Sequence, residues 1–337
     1  MKRKKFCIIG AGWYGCHIAL YLKENGHIVK LHDKENNIFF GASGFNQFRL
    51  HNGFHYPRSF ETINEIKKNN KRFIKKYKKF IFFPKNNLYC IAKKSSLIDA
   101  KTYEKILNFH SLKYKKKINH KFTNIEGAYI INEGVIQNDK LINFYKKKLK
   151  KNLVLNSNID KNKLKKLSGK YDYILDCTNN TFTQKLSKDF NYLLTISSIY
   201  KKRKNKLSNP ITVMDGELPS LYPYSDKKGY YTLTHAKHTH IKKFKNFQLL
   251  NNYKKKMSKN YLVNIINQME KAIILFYPKF KKSLTYKGYF LSYKVLPNEK
   301  SAKRSIFIQK NQNLISVSSP KIANIFTFED YIKKIIK

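Results

Sequence analysis

The chain has 337 residues, of which 42% are hydrophobic and 15% aromatic, and its formal net charge is +48. This length and composition can bury a sizeable core, which excludes wholesale disorder and allows one large domain or two ordinary ones. The charge fits either an anionic partner, such as nucleic acid, phospholipid or an acidic glycan, or a compositional bias. The bias is favoured, because 63 basic residues are lysines spread along the chain and only six are arginines. We therefore predict no specific nucleic-acid partner, with weak non-specific polyanion binding as the alternative.

The cysteines indicate a reducing compartment. Cys7, Cys16, Cys90 and Cys177 show neither a CxxC pair nor metal-ligand spacing, and three of them lie in apolar runs. Buried reduced thiols are the expected state of such residues. The apolar run at residues 6–9 is too short for a signal peptide, and no run approaches the roughly 20 apolar residues that cross a bilayer. We predict a cytoplasmic protein with no metal site and no transmembrane segment, of open oligomeric state.

The start of the chain predicts a βαβ unit. Residues 6–9 are wholly apolar, as in a buried parallel strand. Residues 13–25 carry apolar side chains at helical spacing and end before Gly26, and residues 27–32 form a second apolar run.

The remainder mixes helical and strand patterns without repeats or Gly/Ser linkers. Residues 81–130 break into short strand-like pieces, and residues 222–224 and 230–234 flank a turn as in a hairpin. Further helices are predicted at residues 61–80, 138–150, 260–276 and from 328, and further strands at residues 153–155, 173–177, 191–200, 211–214, 305–309 and 314–318. An α/β fold with an inserted antiparallel part follows from this mixture.

A glycine motif joins the first strand to the first helix. Gly10-Ala11-Gly12-Trp13-Tyr14-Gly15 has the form G-x-G-x-x-G, in which the first glycine permits a tight turn, the second a close approach to pyrophosphate and the third helix–strand packing. Asp33 ends the second strand, where it can accept a hydrogen bond from a ribose hydroxyl. The alternative is a glycine turn that binds no ligand. The motif alone does not decide between FAD and NAD.

The following segment decides for FAD. Residues 41–59, GASGFNQFRLHNGFHYPRS, resemble the D-amino-acid-oxidase-like group of FAD-dependent oxidoreductases, and the part from residue 49 resembles an uncharacterised subgroup often associated with surface-polysaccharide gene sets. In that group the GAS-type turn opens a helix beneath the cofactor. The resemblance covers most of the chain in patches and implies FAD as the cofactor. The implied FAD-binding residues are Gly10, Ala11, Gly12, Trp13, Tyr14, Gly15, Asp33, Lys34, Gly41, Ala42, Ser43, Gln47, Arg49, Cys177, Thr178, Pro320 and Lys321.

Four polar residues of this segment are catalytic candidates if it faces the flavin. His51, His55 and Tyr56 could orient a substrate or move protons, since histidine titrates near neutral pH. Arg58 could clamp a carboxylate or phosphate through its planar fork. The alternative is that all four bind FAD and one another structurally.

Residues 211–235 resemble the sheet that roofs the flavin in the same subgroup. Tyr222, Tyr224 and His235 could line a substrate pocket there, and Tyr222 and His235 are weaker catalytic candidates. Ordinary sheet aromatics and a surface histidine are the alternative.

Two late turns depart from the family pattern. Asn179 stands where relatives have the glycine of an Ala-Thr-Gly turn, and asparagine tolerates positive φ. Pro320 replaces the glycine of a Ser-Gly-Lys turn and has no amide proton, so we expect one donor to the flavin to be absent. Lys321 could still place positive charge near the reduced flavin.

The predicted fold is α/β: a Rossmann-type FAD-binding domain at residues 1–80, 151–190 and 286–337, and an inserted substrate domain of antiparallel β-sheet plus helices at residues 81–150 and 191–285. The predicted function is an FAD-dependent oxidoreductase that oxidises a C–N or C–O bond of a small polar substrate, such as an amino acid, amine or sugar derivative, by hydride transfer. The alternatives are a non-redox flavoenzyme acting on a sugar nucleotide and a catalytically impaired flavin-binding protein.

Overall fold

The computed structural model describes residues 2–118, 122–182, 190–204, 209–297, 306–319 and 321–336. Its strands, in chain order, are β1 (Lys5–Ile9), β2 (Ile28–His32), β3 (Arg49–Leu50), β4 (Ile81–Phe82), β5 (Leu88–Ala92), β6 (Tyr114–Lys116), β7 (Ile125–Ile131), β8 (Gly134–Ile136), β9 (Leu153–Val154), β10 (Tyr173–Asp176), β11 (Phe190–Lys202), β12 (Ile211–Met214), β13 (Pro219–Pro223), β14 (Tyr230–His235), β15 (His240–Phe244), β16 (Leu284–Pro297), β17 (Phe307–Asn311) and β18 (Leu314–Ser318). Its α-helices are α1 (Trp13–Glu24), α2 (Phe60–Tyr77), α3 (Ala100–Phe109), α4 (Asn138–Leu149), α5 (Lys161–Ser168), α6 (Phe247–Lys256), α7 (Lys259–Phe276), α8 (Phe280–Ser283) and α9 (Ile325–Ile336).

Six strands form the sheet that carries the N-terminal βαβ unit. Their order is β17-β18-β10-β1-β2-β9, and all neighbours run parallel except β17 and β18. Strand β1 lies inside this sheet, and its last four residues are apolar and buried. Since successive side chains point to opposite faces, both faces of β1 are covered. The carboxyl ends of β1, β2 and β10 therefore meet at one edge, where ligands bind in open α/β sheets.

Nine strands form a second sheet of mixed orientation. Its order is β15-β11-β14-β13-β12-β5-β7-β6, with β16 paired along nearly the whole of β11. The strands run antiparallel except for β5 and β12, which are parallel. The predicted antiparallel insertion is thus confirmed apart from this one pair.

The two faces of the nine-stranded sheet differ in chemistry. Ile196 of β11 and Leu233 of β14 belong to the apolar core that packs under α7. Thr195, Ser197 and Thr234 alternate with them and line a large cavity on the other face. Because successive side chains of a strand point to opposite faces, one face of the sheet is apolar and the other carries hydroxyl groups.

A small third sheet has the strand order β3-β8-β4. In it, Arg49 and Leu50 of β3 pair with Val135 and Gly134 of β8. Helix α4 packs against α1 in the layer of the six-stranded sheet, and β16 lies in the nine-stranded sheet. The predicted division into two discontinuous domains stays a prediction.

Most elements lie where the sequence predicts them, and the α/β fold class is confirmed. Helix α3 is the main miss between residues 81 and 130, where only strand-like pieces were expected. Helices α5 and α6 and strands β15 and β16 were also not predicted. Helix α5 has eight residues and packs only Leu164 and Leu167 against the core, so it offers too short an apolar pattern to reveal a helix. No helix in the described ranges is long and apolar enough to cross a bilayer.

The first helix lies unusually close to the first turn. A Cβ atom on Gly15 would sit 1.9 Å from the carbonyl oxygen of Gly10. At the start of the same helix, Trp13 lies among rings of the surrounding layer, with centroids 5.3–5.5 Å from those of Phe39, Phe73 and Tyr77. The glycine and the tryptophan therefore fix how α1 sits on the sheet.

Gly15→Ala is expected to lower the free energy of unfolding by about 3 kcal/mol, because the added methyl group meets backbone rather than a movable side chain. Gly169→Ala is the matched control, since nothing lies within 4 Å of a Cβ there. Urea unfolding of both variants followed by circular dichroism measures the difference. Equal stabilities of the two variants would contradict the packing argument.

Candidate functional site

A cavity of about 1770 Å³, the central cavity, lies between the carboxyl edge of the six-stranded sheet and the hydroxyl-lined face of the nine-stranded sheet. Pockets for one drug-sized ligand usually measure about 300–1,000 Å³. The central cavity therefore has room for a dinucleotide and a small substrate together. Its wall includes Gly10 and Asp33, which define the glycine end, and also His51 and Arg58.

The glycine end of the cavity is built to take an anion. Gly12 caps α1 without a side-chain hydrogen bond, and the first turn carries no acidic residue. The amide of Trp13 donates instead to Oγ of Ser43 at 3.0 Å. Gly10 has φ +98°, and a Cβ atom there would lie 2.9 Å from the carbonyl oxygen of Cys177. The positive end of a helix, with glycine at its cap and the Ser43 hydroxyl beside it, fits a pyrophosphate.

Asp33 closes the turn beside this helix. Its Oδ2 accepts the amide of Ala11 at 2.6 Å, and its Oδ1 accepts the amide of Glu35 at 3.0 Å. The carboxylate also lines the cavity. Lys34 lines it as well, with a largely exposed side chain. The position at the end of β2 fits the predicted contact with a ribose hydroxyl.

The segment from residue 41 is a series of turns and contains no helix, so the expected helix beneath the cofactor is wrong here. Phe39 and Phe48 both adopt positive φ, near +60° and +53°. A Cβ atom on Gly44 would lie 2.1 Å from the carbonyl oxygen of Phe39. These tight turns interrupt the backbone pattern of a helix. Of the predicted cofactor residues here, the cavity wall includes Gly41, Ala42, Ser43, Gln47 and Arg49.

Arg49 is a buried cation in the cavity wall. Its guanidinium lies 3.8 Å from the ring centroid of Tyr222, and its two terminal nitrogens donate to Tyr89 Oη at 3.1 Å and Ser220 Oγ at 2.6 Å. Its Nε has no hydrogen-bond partner among the described residues. An orphaned buried donor in the wall is suited to a polar atom of a bound cofactor or substrate.

Three aromatic rings gather next to Arg49 in the wall. His51 and His55 stack with centroids 5.1 Å apart, and Tyr56 meets them edge-on at 5.3 and 5.4 Å. The ring of Tyr56 also lies 5.0 Å from Nζ of Lys321. The structure therefore brings together three predicted catalytic candidates and one predicted cofactor residue.

A buried carboxylate stands behind the histidines. Glu133 is fully buried, and its Oε1 lies 3.5 Å from Nδ1 of His51. Burial lowers the pKa of His51 against the opposing attraction of Glu133, so the ring is neutral at neutral pH. Burial would raise the pKa of Glu133, but His51, Arg49 and the Tyr89 hydroxyl outweigh it and hold that pKa well below its usual range.

Arg58 lies in the cavity wall and pairs with Asp215. The guanidinium Nε donates to the Asp215 carboxylate. The arginine side chain is mostly exposed, whereas Asp215 is 13% exposed. The pair therefore presents one cation and one anion at the wall. Arg58 follows the histidines in the sequence, and Asp215 lies between β12 and β13.

The two late turns meet beside the glycine end. Asn179 adopts φ +56°, as predicted for an asparagine in a glycine position, and its Oδ1 accepts Oγ of Ser318 at 2.8 Å. Cys177 and Thr178 line the cavity with it. The carbonyl oxygen of Lys321 accepts the hydroxyl of Tyr14 at 2.8 Å. Pro320 lies outside the described residues.

The two weaker catalytic candidates occupy different positions. Tyr222 is behind the cavity wall: its ring underlies Arg49, and its hydroxyl donates to the carbonyl oxygens of Glu133 and Gly134 at 3.2 Å. His235 does line the cavity, but its Nδ1 accepts the amide of Lys237 at 3.2 Å, and burial lowers its pKa to about 4. Tyr224, the third residue expected at the pocket, is also absent from the described wall.

Sequence reasoning missed Glu133 and Asp215. The chain has only 21 acidic residues. Their scarcity could have singled out a carboxylate between apolar residues, in the same way that the scarcity of arginine drew attention to Arg49 and Arg58. Their spatial relation to His51 and Arg58 carried no local signal, because 82 and 157 residues separate the partners. Thr195, Ser197 and Thr234, which line the cavity from the large sheet, were not singled out either.

The glycine turn at the start of α1 and Asp33 at the end of β2 are features of a dinucleotide-binding fold. Residues 5–284 match the family described as "DAO: FAD dependent oxidoreductase". Because the match covers well over half of the chain, the protein belongs to that family. It is an FAD-dependent oxidoreductase, and FAD is its cofactor.

Named relatives have the same cofactor. The chain is 29% identical to FAD-dependent monooxygenase FPY4 of Fusarium mangiferae, over 98% of this chain and 90% of that protein. It is 26% identical to FAD-dependent monooxygenase kojA of Aspergillus flavus, over 98% and 85%. Among solved structures, L-α-glycerophosphate oxidase from Mycoplasma pneumoniae with FAD bound has TM-score 0.66 at 13% identity, over 96% and 92% of the two chains. Glycine oxidase from Geobacillus kaustophilus has TM-score 0.64 at 9% identity, over 96% and 91%. The structures show a shared fold.

Asp33→Ala is expected to weaken FAD binding about 10- to 100-fold, because a charged acceptor contributes about 1.5–3 kcal/mol to its hydrogen bonds. Asp172→Ala is the matched control: its carboxylate also accepts a backbone amide, that of Lys5, but lies outside the described cavity wall. Titration of both apoproteins with FAD, followed by the quenching of flavin fluorescence, measures the two dissociation constants. Equal constants would remove Asp33 from the cofactor site.

Proposed function

We propose that the protein oxidises a C–N or C–O bond of a small polar substrate by hydride transfer to FAD. The observation that carries the proposal is the neutral His51 in the cavity wall, backed by a buried carboxylate and flanked by His55 and Tyr56. A site that removes a hydride also has to remove a proton from the same substrate. His51 offers an acceptor for that proton.

The size of the cavity allows the nucleotide and the ring system of FAD to lie in different parts of it. The nucleotide part of FAD fits the glycine end, where the N-terminus of α1 and Asp33 lie. An extended dinucleotide bound there would direct its ring system toward the opposite end. We place His51 and Tyr56 there, and Nζ of Lys321 reaches toward them, 5.0 Å from the ring centroid of Tyr56. They are therefore suited to contact the substrate and the reactive part of the cofactor.

In the proposed step FAD is the oxidant, which accounts for the two electrons that the substrate loses. The substrate C–H bond breaks, and both of its electrons pass with the hydrogen to FAD, which supplies the hydride acceptor. The N–H or O–H proton of the substrate passes to the imidazole of His51. A C=N or C=O double bond forms in the product. Neutral imidazole is the required state, and the lowered pKa of His51 supports it.

The charges of the wall favour a substrate of small size and mixed polarity. Arg58 and Asp215 present opposite charges next to each other, and Thr234 and Ser220 add hydroxyl groups from the large sheet. Such groups bind carboxylate, ammonium and hydroxyl substituents. Amino acids, amines and sugar derivatives carry these substituents.

A second candidate function is monooxygenation. Its support is that the relatives at 29% and 26% identity are named FAD-dependent monooxygenases. Such a reaction places one atom of O₂ in the product and reduces the other to water with two electrons from an external donor such as a reduced nicotinamide, whereas hydride transfer to FAD takes its electrons from the substrate and needs no oxygen in the first half of the cycle. Non-redox chemistry and loss of catalysis are not favoured, since the family and these relatives are defined by FAD-dependent oxidation.

The test is anaerobic mixing of the FAD-loaded protein with a panel of amino acids, amines, hydroxy acids and sugar derivatives, without nicotinamide coenzyme. Loss of the visible flavin absorbance with one substrate class supports hydride transfer. If no class bleaches the flavin, yet turnover under ¹⁸O₂ with added reduced nicotinamide labels the product, monooxygenation replaces the proposal.

His51→Gln is expected to slow the anaerobic reduction of FAD about 10²- to 10⁴-fold, which is the usual contribution of a general base. In the unmutated protein, the rate should hold as the pH falls through 6.5 and decline only below it, because the folded-state pKa of His51 lies under its ordinary value. The control is His27→Gln, whose Nδ1 accepts the amide of Lys4 outside the described cavity wall. A rate that His51→Gln leaves unchanged would exclude the base role.

The cellular location is part of the same proposal. The four cysteines are buried thiols and form no disulfide. This state is compatible with a reducing compartment, and it supports the predicted cytoplasmic location. Fractionation of the source cells, with detection of the protein by antibody, tests it.

A further inference from the structure

The turn between β7 and β8 buries a carboxylate that does not reach the described cavity wall. Glu133 has no exposed surface, and its oxygens accept the Asn52 amide at 2.9 Å and the Tyr89 hydroxyl at 2.6 Å. Tyr222 donates its hydroxyl to the carbonyl oxygens of Glu133 and Gly134, which fixes the turn. A charge held this rigidly in the interior is costly unless partners compensate it.

The compensating charge comes from Arg49 through Tyr89. The arginine donates to Tyr89 Oη at 3.1 Å, and that hydroxyl donates its own proton to Glu133 Oε2 at 2.6 Å. The other carboxylate oxygen, Oε1, faces Nδ1 of His51 at 3.5 Å. Four side chains therefore form one line from a buried cation through a hydroxyl and a carboxylate to an imidazole in the cavity wall.

We propose that Glu133 is a positioning residue, which keeps the proton of neutral His51 on Nδ1 and leaves Nε2 as the acceptor available to the cavity. Arg49 and Tyr89 hold the carboxylate ionised and in place for this role. The placement of the proton on His51 is independent of any reaction. Its use in turnover rests on the proposed hydride transfer.

Electrostatics and geometry act together in this arrangement. An anion beside Nδ1 favours the tautomer that carries hydrogen there, in the way carboxylates orient histidines in other enzymes. The other groups that act on the His51 ring are Arg49 and Lys321, which disfavour a second proton, and the rings of His55 and Tyr56. Stacking on His55 limits rotation of the imidazole, so the tautomer also sets the direction of the acceptor.

The experiment is ¹⁵N NMR of the FAD-loaded protein with ¹⁵N-labelled histidine, over a pH titration. His51→Gln identifies the His51 signals by their loss. Glu133→Gln removes the charge at nearly constant volume. Glu133→Asp keeps the charge and shortens the side chain by one methylene. Glu126→Gln is the matched control, since Glu126 is an exposed carboxylate that accepts the Ala100 amide at the far side of β7.

The unmutated protein is expected to show neutral His51 protonated on Nδ1. Glu133→Gln should lower the pKa of His51 by about one unit, a tenfold change, because the attraction that stabilises the imidazolium is lost. It should also increase the share of the Nε2-protonated form. Glu133→Asp should retain most of both properties, and Glu126→Gln should match the unmutated protein.

The wild-type spectrum alone can overturn the proposal. A His51 signal protonated mainly on Nε2 contradicts it even if Glu133→Gln does not fold. An unchanged pKa and tautomer in folded Glu133→Gln contradicts it as well. Because no substrate is used, a failure of the hydride-transfer proposal would appear in the flavin-reduction assay and leave these NMR results unaffected.

Discussion

The structure depends on the close approach of the first helix to the first strand. Gly15 lies so near to the Gly10 carbonyl that no side chain fits, and Gly10 in turn lies against the backbone of Cys177. These contacts bring the start of α1 to the edge where β1, β2 and β10 end. The position of the first turn of α1 follows from them, and a helix N-terminus at this edge is where we expect the FAD pyrophosphate.

A second constraint is the burial of charge beside the cavity. Arg49 and Glu133 are both buried, and the Tyr89 hydroxyl links them. Removing one partner of such a network leaves the other charge uncompensated, which is strongly destabilising. The segments that carry them, β3, β5 and the turn before β8, are therefore locked together. His51 follows Arg49 by two residues, so the anchoring of Arg49 also fixes the position of His51 in the wall.

The sequence predicted the parts of the site that are local in the chain. The glycine motif, Asp33 and the cluster at residues 51–58 each combine a short-range pattern with known chemistry, and the structure places them along one cavity. Helix α5 was too short to be recognised from two apolar residues, and the expected helix after residue 41 is replaced by turns with positive φ. The partners Glu133 and Asp215 could not be predicted, because pairing over such separations is set by sheet topology.

The central claim is that one cavity holds the nucleotide of FAD at the glycine turn and its ring system beside His51. A crystal structure of the FAD-bound protein tests it most directly. We expect pyrophosphate at the first turn of α1, a ribose hydroxyl at Asp33, and the isoalloxazine between the Thr195–Ser197 face and the imidazole of His51. An isoalloxazine at the opposite end, against Phe247 of α6, would contradict the account.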